Sequence, residues 1–307
     1  MSSAAAAESE FSIPGPEGPL SGTLLQPSNT LGAPVVLIIP GSGPTDRDGN
    51  SPLGVRASSY ALLAGGLADL GIASLRADKR GLGGSARAIA DPNAVTIADY
   101  ASDTKAWVAA IRTETAADCV WLAGHSEGAL IALVAAQDPR NICGLILLAG
   151  PGRPLGTILR EQLAAGLGDQ GLVEQANKAI AALEKGQRVD ATTLDSALSP
   201  LFTASLQDFL ISLFSYDPAA LLAELDMPLL ILQGREDLQI TEVDAERLHN
   251  ANPDAELLLL QTVNHMLKSV TPGDRRENLE SYGDPHRPIS NRVVRAIHDF
   301  VSKPRRH

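Results

Sequence analysis

Cysteine is almost absent from this chain, and aromatic residues are few. The two cysteines, Cys119 and Cys143, cannot build a disulfide framework. Each opens a segment that reads as a strand, so a bridge would require those strands to be neighbours. The expectation is a pair of buried, reduced thiols behaving as small hydrophobes. Aromatics make up 4% of residues, and no stretch interleaves them with basic side chains as nucleic-acid binders do. Positive charge is in deficit as well: 25 Lys and Arg against 36 Asp and Glu leave a net charge of -11. Nucleic acid is therefore not an expected partner. No apolar run reaches membrane-spanning length; the longest, "APVVLIIP" and "LILLAG", suit buried strands. The opening "MSSAAAAESEF" has neither the positive n-region nor the apolar h-region of a secretory signal, so a cytoplasmic location is expected. HExxH and CxxC are missing, and no metal is implied.

What is present is an ordinary globular composition, 44% hydrophobic and 20% charged over 307 residues. That length suits an α/β domain carrying an insertion. A hairpin, "EFSIPG" and "LSGTLLQP", is followed by apolar runs alternating with segments of helical period. "VVLII" leads to a helix over 55–70, "IASLRA" to one over 96–112, and "CVWLAG" runs directly into an amphipathic helix over 126–136. "CGLILLAG" follows, then "PLLILQG" with a helix over 242–249, and "AELLLLQ" with a closing helix over 291–301. Runs apolar on both faces and separated by helices predict a mostly parallel, twisted sheet of about eight strands, covered on both sides. Residues 154–215 break the alternation with helical patches only. They are read as a helical cap inserted into a core formed by 1–153 and 216–307, with an apolar lining for the substrate.

The stretch "LAGHSEGAL" places Ser126 between a buried strand and a helix. Gly124 and Gly128 let strand and helix approach closely while His125 and Ser126 make the sharp turn, the geometry of a nucleophile elbow. A serine hydroxyl needs a base and a group to orient that base. His265, in the loop after the last strand, reaches the sheet edge where the elbow opens. His249, His286, His298 and His307 do not have that placement. Asp237 follows the preceding strand at the same edge, better placed than Glu236 or Asp244. For the oxyanion, the N–H of Glu127 is one expected donor. The loop "PGSGPTDRDGN" supplies the second, Ser42 first and Gly43 next.

From "IIPGSGP" through "ADKRGLGGS" and "GHSEGAL" to "GREDLQI" and "NHMLK", the chain resembles α/β-hydrolase-fold serine hydrolases. Bacterial esterases and serine-aminopeptidase-like members are the nearest in pattern. The resemblance covers nearly everything except the insertion, and it implies the same triad, Ser126, Asp237 and His265. It departs in having Pro40-Gly41 where many relatives have His-Gly. The implied activity is cleavage of small-molecule acyl esters, with amide or peptide cleavage as the alternative and an inactive ligand-binding relative as a third reading. No cofactor is implied, and a homo-oligomer is compatible with the sequence. Two motifs compete. "GLGGSA" fits a dinucleotide fingerprint, but "DKR" separates it from its strand and a poor helix start follows, so a turn held by Asp78 and Arg80 is expected. "DRDGN" resembles a calcium loop without its closing Glu, and turn roles for Asp46 and Asp48 are expected.

Overall fold

Strands form where the apolar runs are rich in Val, Ile and Leu and end at glycine, proline or asparagine. The computed structural model of the chain describes residues 6–28 and 32–304. The opening "MSSAA" and His307 lie outside the described residues. The strands are β1 (Ala7–Pro14), β2 (Pro19–Gln26), β3 (Val35–Ile39), β4 (Asn50–Ser51), β5 (Val55–Arg56), β6 (Ala73–Ala77), β7 (Val120–His125), β8 (Ile142–Leu148), β9 (Leu229–Gly234) and β10 (Glu256–Leu260). Eight of them form one sheet in the order β1-β2-β6-β3-β7-β8-β9-β10. The β1–β2 hairpin joins β6 antiparallel, and the strands from β6 to β10 run parallel. This is the expected eight-stranded, mostly parallel sheet.

The helices are α1 (Ser59–Asp69), α2 (Ile97–Thr115), α3 (Glu127–Ala136), α4 (Leu155–Gly166), α5 (Gln170–Leu183), α6 (Gln207–Phe214), α7 (Pro218–Ala223), α8 (Glu242–Ala251), α9 (Arg275–Glu280) and α10 (Asn291–Val301). Strand side chains alternate between two cores, as period 2 requires. Val35, Leu37 and Ile39 face the core that holds α2 and α3, whereas Val36 and Ile38 face the core that holds α1 and α10. A capping box opens α2: Asp99 N–H donates to Thr96 Oγ1 at 3.1 Å, and Thr96 N–H donates to the Asp99 carboxylate at 2.9 Å.

Three expectations change. The helix predicted from Val55 begins at Ser59 instead, because Val55–Arg56 pairs with Asn50–Ser51 in a short antiparallel ribbon. α3 is buried nearly all round rather than amphipathic, since it lies between the sheet and α2 and α7. Cys119 and Cys143 form a disulfide, with their Cα atoms 5.2 Å apart, instead of standing as reduced thiols.

Candidate active site

One residue separates β7 from α3, and it is Ser126. Its backbone, at φ 55° and ψ -122°, is one that side-chain-bearing residues rarely adopt. Two hydrogen bonds hold it there: Ser126 N–H donates to Leu148 O and Ala129 N–H donates to Ser126 O, both at 2.9 Å. The flanking glycines are required by close approach. A Cβ on Gly124 would lie 2.2 Å from Gly128 O, and one on Gly128 would lie 2.3 Å from Ile39 O. Elbow, helix and neighbouring strand can pack this tightly only without those side chains.

Asp237 sits in the turn after β9 and His265 in the loop after β10, and His265 Nδ1 donates to Asp237 Oδ2 at 2.8 Å. Both side chains are buried. Asp237 Oδ1 accepts from Gln239 N–H at 2.7 Å and Ile240 N–H at 2.9 Å. Burial pushes this carboxyl toward the neutral form, but the His265 ring and the two backbone N–H groups outweigh it and hold its pKa below the usual value. With Nδ1 engaged, His265 Nε2 has no hydrogen-bond partner among the described residues, and neither has Ser126 Oγ. Both residues line one cavity of about 180 Å³. Serine-to-histidine bonds of this kind often tighten only around substrate. The other acids are engaged elsewhere: Asp244 holds Arg153 and Gly152 N–H, and Glu236 accepts from Gly273 N–H.

The loop after β3 runs against Ser126, so that a Cβ on Gly41 would be 3.3 Å from the Ser126 Cβ. Ser42 lines the cavity; Gly43, at φ 68°, is not among its lining residues. The N–H groups of Ser42 and Glu127 have no partner among the described residues. Gly41 N–H, by contrast, donates to Tyr60 Oη at 3.0 Å.

Sequence reasoning missed what His125 does. Its Nε2–H donates to the backbone carbonyl of His265 at 2.8 Å, and its Nδ1 accepts from the Tyr60 hydroxyl at 2.8 Å. Burial, followed by the neighbouring His265 ring, pulls the His125 pKa down to about 3, so the imidazole is neutral and this tautomer follows. Burial also raises the Tyr60 pKa, which keeps its hydroxyl protonated as a donor. The Glu127 carboxylate, in the first turn of α3, forms a buried ion pair with Lys79 at 3.4 Å.

The apolar lining of the cavity comes from Leu53 and Val55 of the β4–β5 ribbon and from Met266. None of it comes from 154–215, which corrects the expected lining by the insertion. α4 does approach the rim, where Gln162 Nε2 donates to Gln239 O at 3.0 Å. "GLGGSA" forms a short 3-10 turn at Gly83–Ser85, with Gly84 N–H donating to Asp78 at 2.8 Å, and Arg80 binds Asp99 and Asp103. Asp46 accepts from the N–H groups of Asp48 and Asn50, and Asp48 pairs with Arg76.

A family model described as serine aminopeptidase, S33, matches residues 53–269, the span from the β4–β5 ribbon to beyond His265. The chain belongs to this family. Among curated relatives of this family member, Esterase EstD of Thermotoga maritima is 26% identical over 254 residues, 81% of this chain and 58% of the relative. The chain thus spans less than two thirds of that relative's length. Solved structures share the fold at low identity. Est1E from Butyrivibrio proteoclasticus aligns over 96% of this chain and 99% of its own, at 16% identity and a TM-score of 0.59. An alpha-beta serine hydrolase homologue from Coxiella burnetii aligns over 94% and 97%, at 18% identity and a TM-score of 0.53. The α/β-hydrolase architecture of this family member is shared with both.

Proposed function

We propose that the protein is a serine hydrolase that cleaves small carboxylic esters through an acyl-enzyme. The observation that carries this reading is Ser126 on a strained elbow, in one cavity with a His265 whose ring is bound to Asp237 at 2.8 Å. His265 Nε2 takes the Ser126 proton as Oγ attacks the ester carbonyl, then returns it to the departing alcohol. Water repeats the cycle on the acyl-enzyme. Asp237 keeps the proton on Nδ1 and stabilises the imidazolium. The N–H groups of Glu127 and Ser42 receive the oxyanion, each donor of this kind contributing about 3 to 4 kcal/mol to the transition state.

A cavity of about 180 Å³ lined by Leu53, Val55 and Met266 favours short, apolar acyl groups. Esterase EstD supports the ester reading, and the serine aminopeptidase description supports a second, in which the same groups cleave a peptide amide. Residues 154–215 serve as a helical cap at the rim rather than as pocket lining. On compartment, the cytoplasmic expectation and the Cys119–Cys143 disulfide pull apart, because such bonds persist mainly in oxidising surroundings.

The test is hydrolysis of a p-nitrophenyl ester series, acetate to dodecanoate, by wild type and Ser126→Ala. Wild-type turnover strongest at acetate and butyrate, and lost by at least about 10³-fold in the variant, is the expected result. Equal turnover by the two proteins would sink the serine mechanism, and turnover confined to peptide amides would favour the second reading.

A further inference from the structure

Lys79 is a buried lysine outside the triad, 7% exposed, whose charge is matched inside the protein. Burying an ammonium is costly unless it is paired and hydrogen-bonded. Its Nζ donates to the Gly41 carbonyl at 2.7 Å, pairs with the Glu127 carboxylate at 3.4 Å and lies 5.3 Å from the centre of the Tyr100 ring.

The two oxygen partners belong to the two residues that flank the reacting centre. Glu127 directly follows the nucleophile. The Gly41 carbonyl and the Ser42 N–H are parts of one planar trans peptide, so they point in opposite directions. Drawing that carbonyl toward Lys79 aims the Ser42 N–H the other way. Gly41, lacking a Cβ, would otherwise leave this peptide free to rotate. The peptide on its other side is pinned as well, because Gly41 N–H donates to Tyr60 Oη. The Ser42 and Glu127 N–H groups have no partner among the described residues.

We infer that Lys79 is a positioning residue that aligns both oxyanion donors, holding the Ser42 N–H through the Gly41 carbonyl and the Glu127 N–H through its own side chain. The inference rests on the proposed ester mechanism. It assigns Lys79 no contact with substrate.

The test compares wild type, Ser126→Ala, Lys79→Met and the double variant Lys79→Met/Glu127→Leu. The double variant removes both charges, since an apolar pair of similar volume often leaves stability intact whereas an orphaned carboxylate does not. Three quantities are read: Tm, kcat and KM on p-nitrophenyl butyrate, and calorimetric affinity for an aryl trifluoromethyl ketone. Ser126 adds to that ketone to give a tetrahedral oxyanion.

The expected result is a folded double variant with kcat down about 10²-fold, KM within about threefold of wild type, and ketone affinity falling in step with kcat/KM. A purely structural lysine would lower Tm without that selective loss of tetrahedral-adduct affinity. A folded double variant with kcat within threefold of wild type, or with ketone affinity unchanged, overturns the inference. Wild-type turnover by Ser126→Ala would overturn the ester mechanism itself, a separate readout.

Discussion

His125 uses both ring nitrogens inside the protein, one on Tyr60 and one on the backbone of His265. It thereby links the elbow to the loop that carries His265, while Tyr60 extends the link to Gly41. That role predicts a pH dependence. An unfolded histidine takes up its proton near pH 6.5, whereas buried His125 does so only near 3. Stability therefore falls as pH drops through that window, by up to about 1.4 kcal/mol per pH unit. Asp237 has the opposite partner chemistry but the same sign: its lowered pKa contributes stability that is lost only as pH falls below about 4. Thermal unfolding of wild type and His125→Gln between pH 7 and 4 should give a steeper loss for wild type. Parallel curves, or an NMR titration showing the His125 ring protonating near pH 6, would refute a neutral structural histidine. The triad candidates were legible because each follows an apolar run that ends at the same sheet edge. The partners of His125 were not, because they come from residues 65 and 140 positions away.

At the scale of elements, strand assignment followed from the apolar runs, but the disulfide did not. Strict alternation along β8, in which Leu145 and Leu147 face the α2–α3 core, would put Cys143 on that side too. The β7–β8 register instead shifts between Val120 and Trp121, opposite Ile142 and Gly144, so Cys143 is an extra residue in the ladder. The resulting bulge turns its side chain toward the α1–α10 core, where Cys119 also lies. The bridge spans a sequence separation of 24, and a loop of that size corresponds to about 3.5 kcal/mol in the chain-entropy account. Cys119→Ser/Cys143→Ser should lower Tm by several degrees with little change in ester turnover. A thiol titration of denatured, unreduced protein should find none free; two free thiols would contradict the bridge.

Across the whole molecule, residues 154–215 belong to the core packing more than to the pocket lining. Phe202, Leu183 and Leu198 are completely buried and join the cluster that covers α2 and α3. Arg153, just before this segment, ties α4 through Glu161 to α8 through Asp244. Phe202→Ala should therefore cost about 3 to 5 kcal/mol in urea unfolding while leaving kcat per folded molecule near wild type. A loss under about 1 kcal/mol would mark the segment as a separable lid instead.

The sequence by itself determined the parallel sheet, the elbow and which loops reach the reacting edge, because these depend on local period, chain order and the glycines a tight turn demands. Only the tertiary structure decided where the cavity finds its lining, that the two cysteines pair and what Lys79, Tyr60 and His125 hold. Those depend on a one-residue bulge, on a ribbon too short to leave a periodic signal, and on hydrogen bonds between segments that meet only when the sheet is assembled.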